Sequence, residues 1–526
     1  MDASSAEIAA EQQFLVQHKC YAAPLENLRT ACTPMQDGTL LAAVDLGSNS
    51  FRLEIGRFEH QQIHRVEYLK ETVRQGAGLD EERKLTPAAM QRGWDCLARF
   101  AERLAGFQRN HVRAVATQTL REARNRDEFI GRAGEILGFP IDIVSGPEEA
   151  RLIYQGVARL LPQSDERRLV VDIGGRSTEL ILGQQFAPGT VASYRVGSVA
   201  WSARYFNDGA LTRHAFESAE IAAKAVLDEA MDSFQHSSWD VAYGSSGTVG
   251  AVGTILAAAG GEEGVIKRDG LDWLREQLVR ARHVDRVRLE GLKDDRRAVI
   301  GGGVSIVRAI FDLLNIDRMT VAQGALRQGA LYDLLDREQP ETDLRTESVR
   351  ALMRRFAVDH SHAERVAQLA CRLFKDAAPE VERATRKLDW AARLHEIGCR
   401  ISHSEYHHHS AYILDNTDAA GFALAELHRL SRLVLGHRGK VRKLQDAELD
   451  DPVFALQLMC LRVAVALCHA RREPDIEGFT LRLEGHCCIV QSRPGWSAAY
   501  PQSAHLLSEE SNAWQKTPWE FVADLS

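Results

Sequence analysis

The sequence of 526 residues lacks C-x-x-C pairs, long apolar runs and an N-terminal export pattern. Its nine cysteines are an odd number and lie far apart, which indicates neither a disulfide framework nor a zinc ribbon. No run of about 18 consecutive apolar residues occurs, so we expect no membrane span, although peripheral association stays open. The first residues are acidic rather than basic, which argues against a signal peptide. We therefore expect a cytoplasmic protein.

The sequence also lacks an excess of positive charge. Lys and Arg number 65 against 73 Asp and Glu, and the net charge is −8. A surface built to hold nucleic acid by counterion release is basic, so we expect no nucleic-acid partner. Hydrophobic residues make up 45% and charged residues 26%, which is ordinary for folded domains and argues against disorder. At this length the chain is expected to form several domains.

The hydrophobic pattern changes along the chain. Residues 1–38 are polar and irregular, which indicates an N-terminal extension. From there to about residue 335, short β-rich apolar runs alternate with longer helical stretches, and this alternation predicts an α/β architecture. After the charged segment 337–348 the pattern is helical and rich in histidine. The last 50 or so residues again have a strand-like pattern. The boundaries predict two lobes at 39–152 and 153–336, a helical domain at 345–474 and a small α+β domain at 475–526.

One pattern occurs twice in the α/β region. It reads V-D-L-G-S-N-S at residues 44–50 and V-D-I-G-G-R-S-T-E at residues 171–179, and each copy lies between two strand-like runs. Such a unit is a hairpin whose turn places a carboxylate beside free backbone N–H groups that can bind phosphate oxygens. The duplication predicts two similar lobes that face each other. The predicted phosphate-binding residues are Asp45, Gly47, Ser48 and Asn49 in the first copy, and Asp172, Gly174, Gly175, Ser177 and Thr178 in the second.

Two further glycine segments are candidates for anion binding. Residues 244–248, G-S-S-G-T, follow a strand-like run and open an Ala-rich helix, so Ser246 and Gly247 are predicted to bind phosphate at its N-terminus. Residues 301–303, G-G-G, precede another helix.

Six sequence blocks, in this order, carry a resemblance to a known family: AAVDLGSNSFRLEIGRF, ATQTLREARN, SGPEEARLIYQGV, LVVDIGGRSTELILG, GSSGTVGA and TVAQGALRQGALYDLL. Together they resemble the exopolyphosphatase and guanosine pentaphosphate phosphohydrolase (Ppx/GppA) family, over nearly the whole chain after about residue 39. The resemblance implies two actin-like, ribonuclease H-like lobes, followed by a helical domain similar to HD phosphohydrolases and a small C-terminal α+β unit. It also implies a homodimer.

The resemblance assigns roles to individual residues. Glu149 falls at the catalytic base, Arg121 at an arginine that meets the phosphate chain, and Asp172 with Glu179 at a Mg²⁺ site. General-base activation of water beside a cation suits in-line attack on a terminal phosphorus. The alternatives are ordinary ones, since acids favour the start of a helix and Arg121 could be a surface arginine paired with Glu122 or Asp127.

This sequence departs from the family pattern at several positions. Arg176 stands in the second turn where the family commonly has glycine, and it would bind product or project into solvent. Gln323 and Gln328 stand where the family commonly has acids. In the helical domain Glu396 follows His395 where HD domains have aspartate, so we expect structural or polyanion-binding use there rather than metal catalysis.

The main functional interpretation is an Mg²⁺-dependent exopolyphosphatase that releases orthophosphate from the ends of linear polyphosphate. The alternative is a phosphohydrolase that converts guanosine pentaphosphate (pppGpp) to ppGpp, or an enzyme with both activities. The stretch AMQRGWDCLARFAERLAGF favours the exopolyphosphatase branch, while ARLIYQGVA and RLVVDIGG suit both. A kinase and a non-enzymatic alarmone sensor are less compatible with a base at Glu149.

Overall fold

The computed structural model describes residues 35–338, 342–378 and 382–525. The predicted extension at 1–38 therefore lies almost wholly outside the described residues. The described chain forms two compact units, one of residues 35–338, 342–343 and 420–424, and one of residues 344–378, 382–419 and 425–525. Within these ranges, no helix is both long and apolar enough to cross a membrane.

The first unit contains two mixed sheets. The strands of the five-stranded sheet are β1 Leu40–Leu46, β2 Phe51–Glu59, β3 Gln62–Glu71, β4 Val112–Ala116 and β5 Ile141–Ile143. Those of the six-stranded sheet are β6 Arg167–Ile173, β7 Thr178–Gln184, β8 Ala187–Tyr194, β9 Val241–Ser245, β10 Val265–Lys267 and β11 Arg318–Val321. The first sheet has the order β3-β2-β1-β4-β5, and the second has the order β10-β11-β9-β6-β7-β8.

The two sheets repeat one arrangement. In each, a hairpin (β1–β2 or β6–β7) continues antiparallel into a third strand, while its first strand pairs in parallel with β4 or β9. A parallel pair needs a crossover connection, and helices supply it on both faces, which explains why β1 and β6 are apolar on both sides. The predicted α/β class with two similar lobes is confirmed.

The helices of the first unit cover both sheets. They are α1 Pro87–Arg103, α2 Gln118–Glu122, α3 Arg126–Leu137, α4 Gly146–Ala158, α5 Ser198–Tyr205, α6 Arg213–Leu227, α7 Ala230–Ser233, α8 Ser246–Ala258, α9 Arg268–Ala281, α10 Asp294–Arg297, α11 Ile300–Leu313 and α12 Leu326–Glu338. The predicted lobe boundary at residue 152 falls inside α4. Helix α12, which the sequence placed in the second lobe, packs its Ala330, Leu331 and Leu334 on Leu41 and Ala43 of β1.

Helix α4 begins where the sequence signals a helix start. Ser145 is its N-cap, and the Ser145 hydroxyl accepts a hydrogen bond from the backbone N–H of Glu148 at 3.3 Å. Pro147 lies in the first turn, where its missing N–H costs nothing. The acids Glu148 and Glu149 follow in the same turn, so the fold fixes the position of Glu149 at a helix N-terminus.

The second unit is mainly helical and ends in a small sheet. Its helices are α13 Leu344–Arg355, α14 His360–Ala377, α15 Glu382–Leu394, α16 Tyr406–Asp415, α17 Leu424–Gly436, α18 Asp446–Leu449, α19 Pro452–Leu467, α20 Trp496–Ala499 and α21 Pro501–Trp514. The strands β12 Thr480–Glu484, β13 Cys487–Gln491 and β14 Glu520–Asp524 form a three-stranded sheet of order β12-β13-β14. This sheet lies in the same compact unit as the helices.

Candidate active site

Both hairpin turns of the first unit line a single cleft. The turns approach so closely that a Cβ atom on Gly175 would lie 2.9 Å from Cβ of Ser48, so a larger residue at 175 would push the turns apart. Helix α4 and the start of α8 complete the walls. The predicted site residues that line the cleft are Asp45, Gly47, Ser48, Asn49, Glu149, Asp172, Gly174, Gly175, Ser177, Ser246 and Gly247.

The first turn is held so that its own donors are available. The Ser48 carbonyl accepts from the N–H of Gly76 at 2.7 Å, and the Asn49 carbonyl accepts from the N–H of Arg74 at 2.9 Å. The Asn49 side-chain nitrogen is buried and has no acceptor among the described residues. A buried donor without a partner is costly, and a phosphate oxygen in the cleft would satisfy it. The turn is therefore suited to bind an anion.

The second turn is held in a similar way. The Gly174 carbonyl accepts from the N–H of Ser198 at 2.9 Å, and the Gly174 N–H donates to the Ser177 carbonyl at 2.9 Å. Backbone N–H groups that surround a concave turn are an anion-binding arrangement. Two such turns therefore face one cleft.

Carboxylates stand beside both turns. Asp45 is opposite Arg52 in the β1–β2 register, and the Arg52 guanidinium donates to the Asp45 carboxylate at 3.1 Å. Asp172 is opposite Glu179 in the β6–β7 register, so both side chains point to the same face of the sheet. Burial raises the pKa of Asp172 to about 6, and the nearby Asp45 adds to the rise.

Glu179 stands opposite Asp172 on the neighbouring strand and is not among the residues that line the cleft. It is 1% exposed, and its Oε1 accepts from the Ser193 hydroxyl at 2.8 Å. Its Oε2 is buried and has no partner among the described residues. Burial, together with Glu149 and Asp172, holds the pKa of Glu179 well above its usual range. Two buried carboxylates with an unused oxygen form a donor set that fits a hard cation such as Mg²⁺.

Glu149 and Arg121 form an ion pair at the cleft. Arg121 Nη1 donates to Glu149 Oε2 at 2.7 Å and to the Val144 carbonyl at 2.9 Å. Burial raises the pKa of Glu149, and the Arg121 guanidinium opposes that rise. Arg121 is thus paired with Glu149 rather than with Glu122 or Asp127, and it contacts the cleft through the Glu149 carboxylate.

Neither Thr178 nor the glycines 301–303 line the cleft. The Thr178 hydroxyl donates to the Val196 carbonyl at 2.6 Å, and Thr178 alternates with Glu179 on the strand, so it faces the opposite side of the sheet. The glycines 301–303 lie within α11 rather than before it. A Cβ on Gly302 would meet the Ser202 backbone nitrogen at 2.6 Å, so these glycines allow α11 to pack closely.

The structure adds cleft residues that the sequence motifs did not single out: Arg52, Thr117, Ile153, Ser198 and Arg296. Arg52 could have been predicted from the sequence, because a hairpin register places it opposite Asp45. Arg296 was not, since it belongs to the polar run D-D-R-R with no distinguishing pattern. Its guanidinium contacts Gly247, and burial followed by repulsion from Arg52 lowers its pKa.

The departures from the family pattern have structural counterparts. Gln328 Nε2 donates to both oxygens of Glu54 at 2.8 and 2.6 Å, so an ionised acid at residue 328 would face a second carboxylate. Gln323 is exposed. Arg176 neither faces solvent nor stands free for product, because its guanidinium donates to Glu122.

The second unit holds a cluster of His362, His395 and Glu396 whose donor atoms lie within 4.8 Å of one another. Both oxygens of Glu396 accept from Arg471 Nη2, at 2.8 and 3.1 Å. A guanidinium therefore already neutralises the only carboxylate of this cluster. Structural or polyanion-binding use of this domain stays a prediction.

The buried carboxylate of Asp172 predicts a pH-dependent stability. Because its pKa is raised from 3.8 to about 6, folding binds a proton, and stability falls as pH rises from about 4 to 6. In EDTA we expect Asp172→Asn to stabilise the first unit by about 3 kcal/mol at pH 8, with a smaller gain at pH 5. Thermal unfolding at both pH values measures this difference.

Asp312→Asn is the matched control for that measurement. Asp312 accepts from Lys224 at 2.7 Å and Arg268 at 2.6 Å, and these cations lower its pKa. Its replacement should destabilise the fold at pH 8. An Asp172→Asn variant that is less stable than wild type at pH 8 in EDTA would contradict the prediction.

This chain is similar to known proteins over most of its length. The Ppx/GppA phosphatase family model matches residues 55–338, and the model of Ppx/GppA phosphatase domain III matches residues 344–508. A guanosine-5'-triphosphate,3'-diphosphate pyrophosphatase from Vibrio atlanticus is 40% identical over 486 residues, which cover 91% of this chain and 97% of the relative. One of that name from Vibrio cholerae serotype O1 is 39% identical over 495 residues, with 91% and 97% covered.

A solved structure supports the fold. An exopolyphosphatase from Cytophaga hutchinsonii is similar with a TM-score of 0.51 at 23% identity, and the match covers 57% of this chain and 98% of that one. At this identity the likeness concerns the fold alone.

Proposed function

Since this chain belongs to the Ppx/GppA phosphatase family, we propose that it hydrolyses the terminal 5'-phosphate of pppGpp and leaves ppGpp. The observation that best supports a phosphoanhydride hydrolase is that two predicted phosphate-binding turns and the carboxylate of Glu149 line one cleft. The relatives of about 40% identity over most of the chain support pppGpp as the substrate.

Polyphosphate hydrolysis, which the sequence favoured, becomes the second candidate. Both substrates end in the same phosphoanhydride, and the turns offer contacts to phosphate groups rather than to a base or sugar. The cleft chemistry therefore suits both, and the curated relatives support the nucleotide. We expect any polyphosphate activity to use the same residues.

In the proposed mechanism the terminal phosphate lies between the two turns. Backbone N–H groups of the turns and the Asn49 amide bind its oxygens, and the guanidinium groups of Arg52 and Arg296 attract the rest of the anion. The turns are held by their own carbonyl hydrogen bonds before substrate arrives. This preorganisation orients the phosphorus for in-line attack.

Glu149 accepts the proton of the attacking water. Its raised pKa makes it a better base than an exposed glutamate, while the Arg121 ion pair keeps it ionised and holds its direction. Asp172 and Glu179 are proposed to hold Mg²⁺, which when bound would neutralise charge on the phosphate oxygens. The pKa of Asp172 is raised to about 6, so its protonation below about that pH should reduce activity.

The test is phosphate release from pppGpp and from long-chain polyphosphate, at equal concentrations of enzyme and of chain ends. We expect ppGpp as the nucleotide product and a kcat/KM for pppGpp roughly tenfold or more above that for polyphosphate. GTP serves as the control for a substrate without the 3'-diphosphate. A higher kcat/KM for polyphosphate would reverse the order of the two candidates, and release from neither would reject the proposed function.

A further inference from the structure

The second phosphate-binding turn reaches the first lobe through one side chain. Arg176 Nε and Nη2 donate to Glu122 Oε2 at 2.9 and 2.7 Å, and Arg176 Nη1 donates to the Gly76 carbonyl at 3.1 Å. Arg176 belongs to the turn between β6 and β7 of the second sheet. Glu122 ends α2, which follows β4 of the first sheet, and Gly76 follows β3. The arginine therefore connects the two lobes across the cleft.

The contact is sheltered from solvent. The side chains of Arg176 and Glu122 are 23% and 12% exposed, in contrast to the fully solvated pairs that contribute little. The absence of a side chain at Gly76 also leaves space for the arginine. A Cβ on Gly76 would lie 3.1 Å from Arg176 Cδ and 3.1 Å from Ser48 Cβ, so a larger residue there would crowd both the arginine and the first turn.

The contact continues to the predicted base. The other Glu122 oxygen, Oε1, accepts from Gln118 Nε2 at 2.7 Å. Gln118 Oε1 in turn accepts from Arg121 Nε and Nη2 at 2.9 and 2.6 Å. Arg121 Nη1 donates to Glu149 Oε2 at 2.7 Å. A continuous series of charged and amide hydrogen bonds thus links Arg176 on one lobe to Glu149 at the cleft.

We propose that Arg176 is a positioning residue that holds the two turns together across the cleft. Through its contact with Glu122, and through Gln118, it also fixes the positions of Arg121 and Glu149. The proposal rests on the proposed function of the cleft. The Nε, Nη1 and Nη2 atoms of Arg176 all donate hydrogen bonds to Glu122 or Gly76. Arg176 therefore acts through its neighbours rather than on the phosphate. With glycine at this position, the hydrogen bonds from the second turn to Glu122 and Gly76 of the first lobe would be absent. The arginine makes a closed cleft the resting state of this chain.

Hydrogen–deuterium exchange of the substrate-free protein tests the closure without reference to activity. We expect Arg176→Gln to speed exchange in peptides that contain residues 47–50, 74–78 and 174–177, because the lobes separate more often. Glu122→Gln should produce the same pattern, and the double variant should exchange no faster than either single variant. Arg213→Gln, which removes an exposed ion pair with Glu276 on the same unit, is the matched control and should leave these peptides unchanged.

Kinetics test the positioning. For Arg176→Gln we expect kcat to fall about tenfold while KM changes less than about threefold, since the base is displaced but the phosphate contacts remain. The double variant with Glu122→Gln should lose no more than about the larger single effect, as expected for residues acting through one contact.

The outcomes separate this inference from the function on which it rests. Unchanged exchange in Arg176→Gln would overturn the closure, and effects of the two substitutions that multiply in kcat would overturn the shared path to Glu149. A wild-type protein that hydrolyses neither pppGpp nor polyphosphate would reject the proposed function, while the exchange measurement would still decide whether Arg176 closes the cleft.

Discussion

Replacement of Glu149 by glutamine is expected to lower phosphate release by roughly 10²–10⁴-fold, the loss typical of removing a general base. Glutamine keeps the size of the side chain and its hydrogen bond to Arg121, but the amide cannot take a proton from water. The fold and substrate binding should remain, because Glu149 contributes neither turn contacts nor a cation site. Turnover of pppGpp, and binding measured by calorimetry, give the two readouts.

Glu128→Gln is the control for this variant. Glu128 is an exposed acid in the first turn of α3, so its replacement makes the same chemical change at the same kind of helix position away from the cleft. It should behave like wild type. Activity of Glu149→Gln within about tenfold of wild type would remove Glu149 from the proton-transfer step.

Local sequence signals predicted much of the cleft. The duplicated motif gave two hairpins, and the side-chain alternation of strands then places Asp172 and Glu179 on one face, as the register shows. The start of α4 followed from Ser145 and Pro147, which fix where Glu149 stands. These features depend on residues within about one hairpin or one helical turn, which is the range over which such patterns act.

Features that need the two lobes together were not predictable in this way. Arg176 and Glu122 are 54 positions apart, and Glu54 and Gln328 are 274 apart. Their contacts depend on how sheets and helices pack, which no local pattern records. The orientation of Thr178 was not predictable for a related reason, because a motif identifies a residue but the strand decides which face its side chain occupies.

The acidic character of the cleft leads to the last prediction. Glu149, Asp172 and Glu179 are all buried with raised pKa values. Asp172 adds to the rise of the Glu149 pKa, and Glu149 and Asp172 both add to that of the Glu179 pKa. Arg121 hydrogen-bonds Glu149, but Glu179 Oε2 has no such donor among the described residues. Several buried carboxylates with an incomplete set of partners are unfavourable unless a cation or protons neutralise them.

We therefore expect EDTA to lower phosphate release by about 10³-fold or more and Mg²⁺ to restore it, since a polyanion attacked by water needs its charge neutralised. Glu179→Gln should need at least about tenfold more Mg²⁺ for half-maximal activity, because one ligand oxygen is replaced by an amide. Mg²⁺ should also raise the unfolding temperature of wild type, and less so that of Glu179→Gln, which provides a readout independent of turnover. Glu128→Gln should follow wild type in both measurements. Full turnover in EDTA, or a Glu179→Gln variant with the wild-type Mg²⁺ dependence, would contradict a metal site at Asp172 and Glu179 and leave the buried acids to be neutralised by protons.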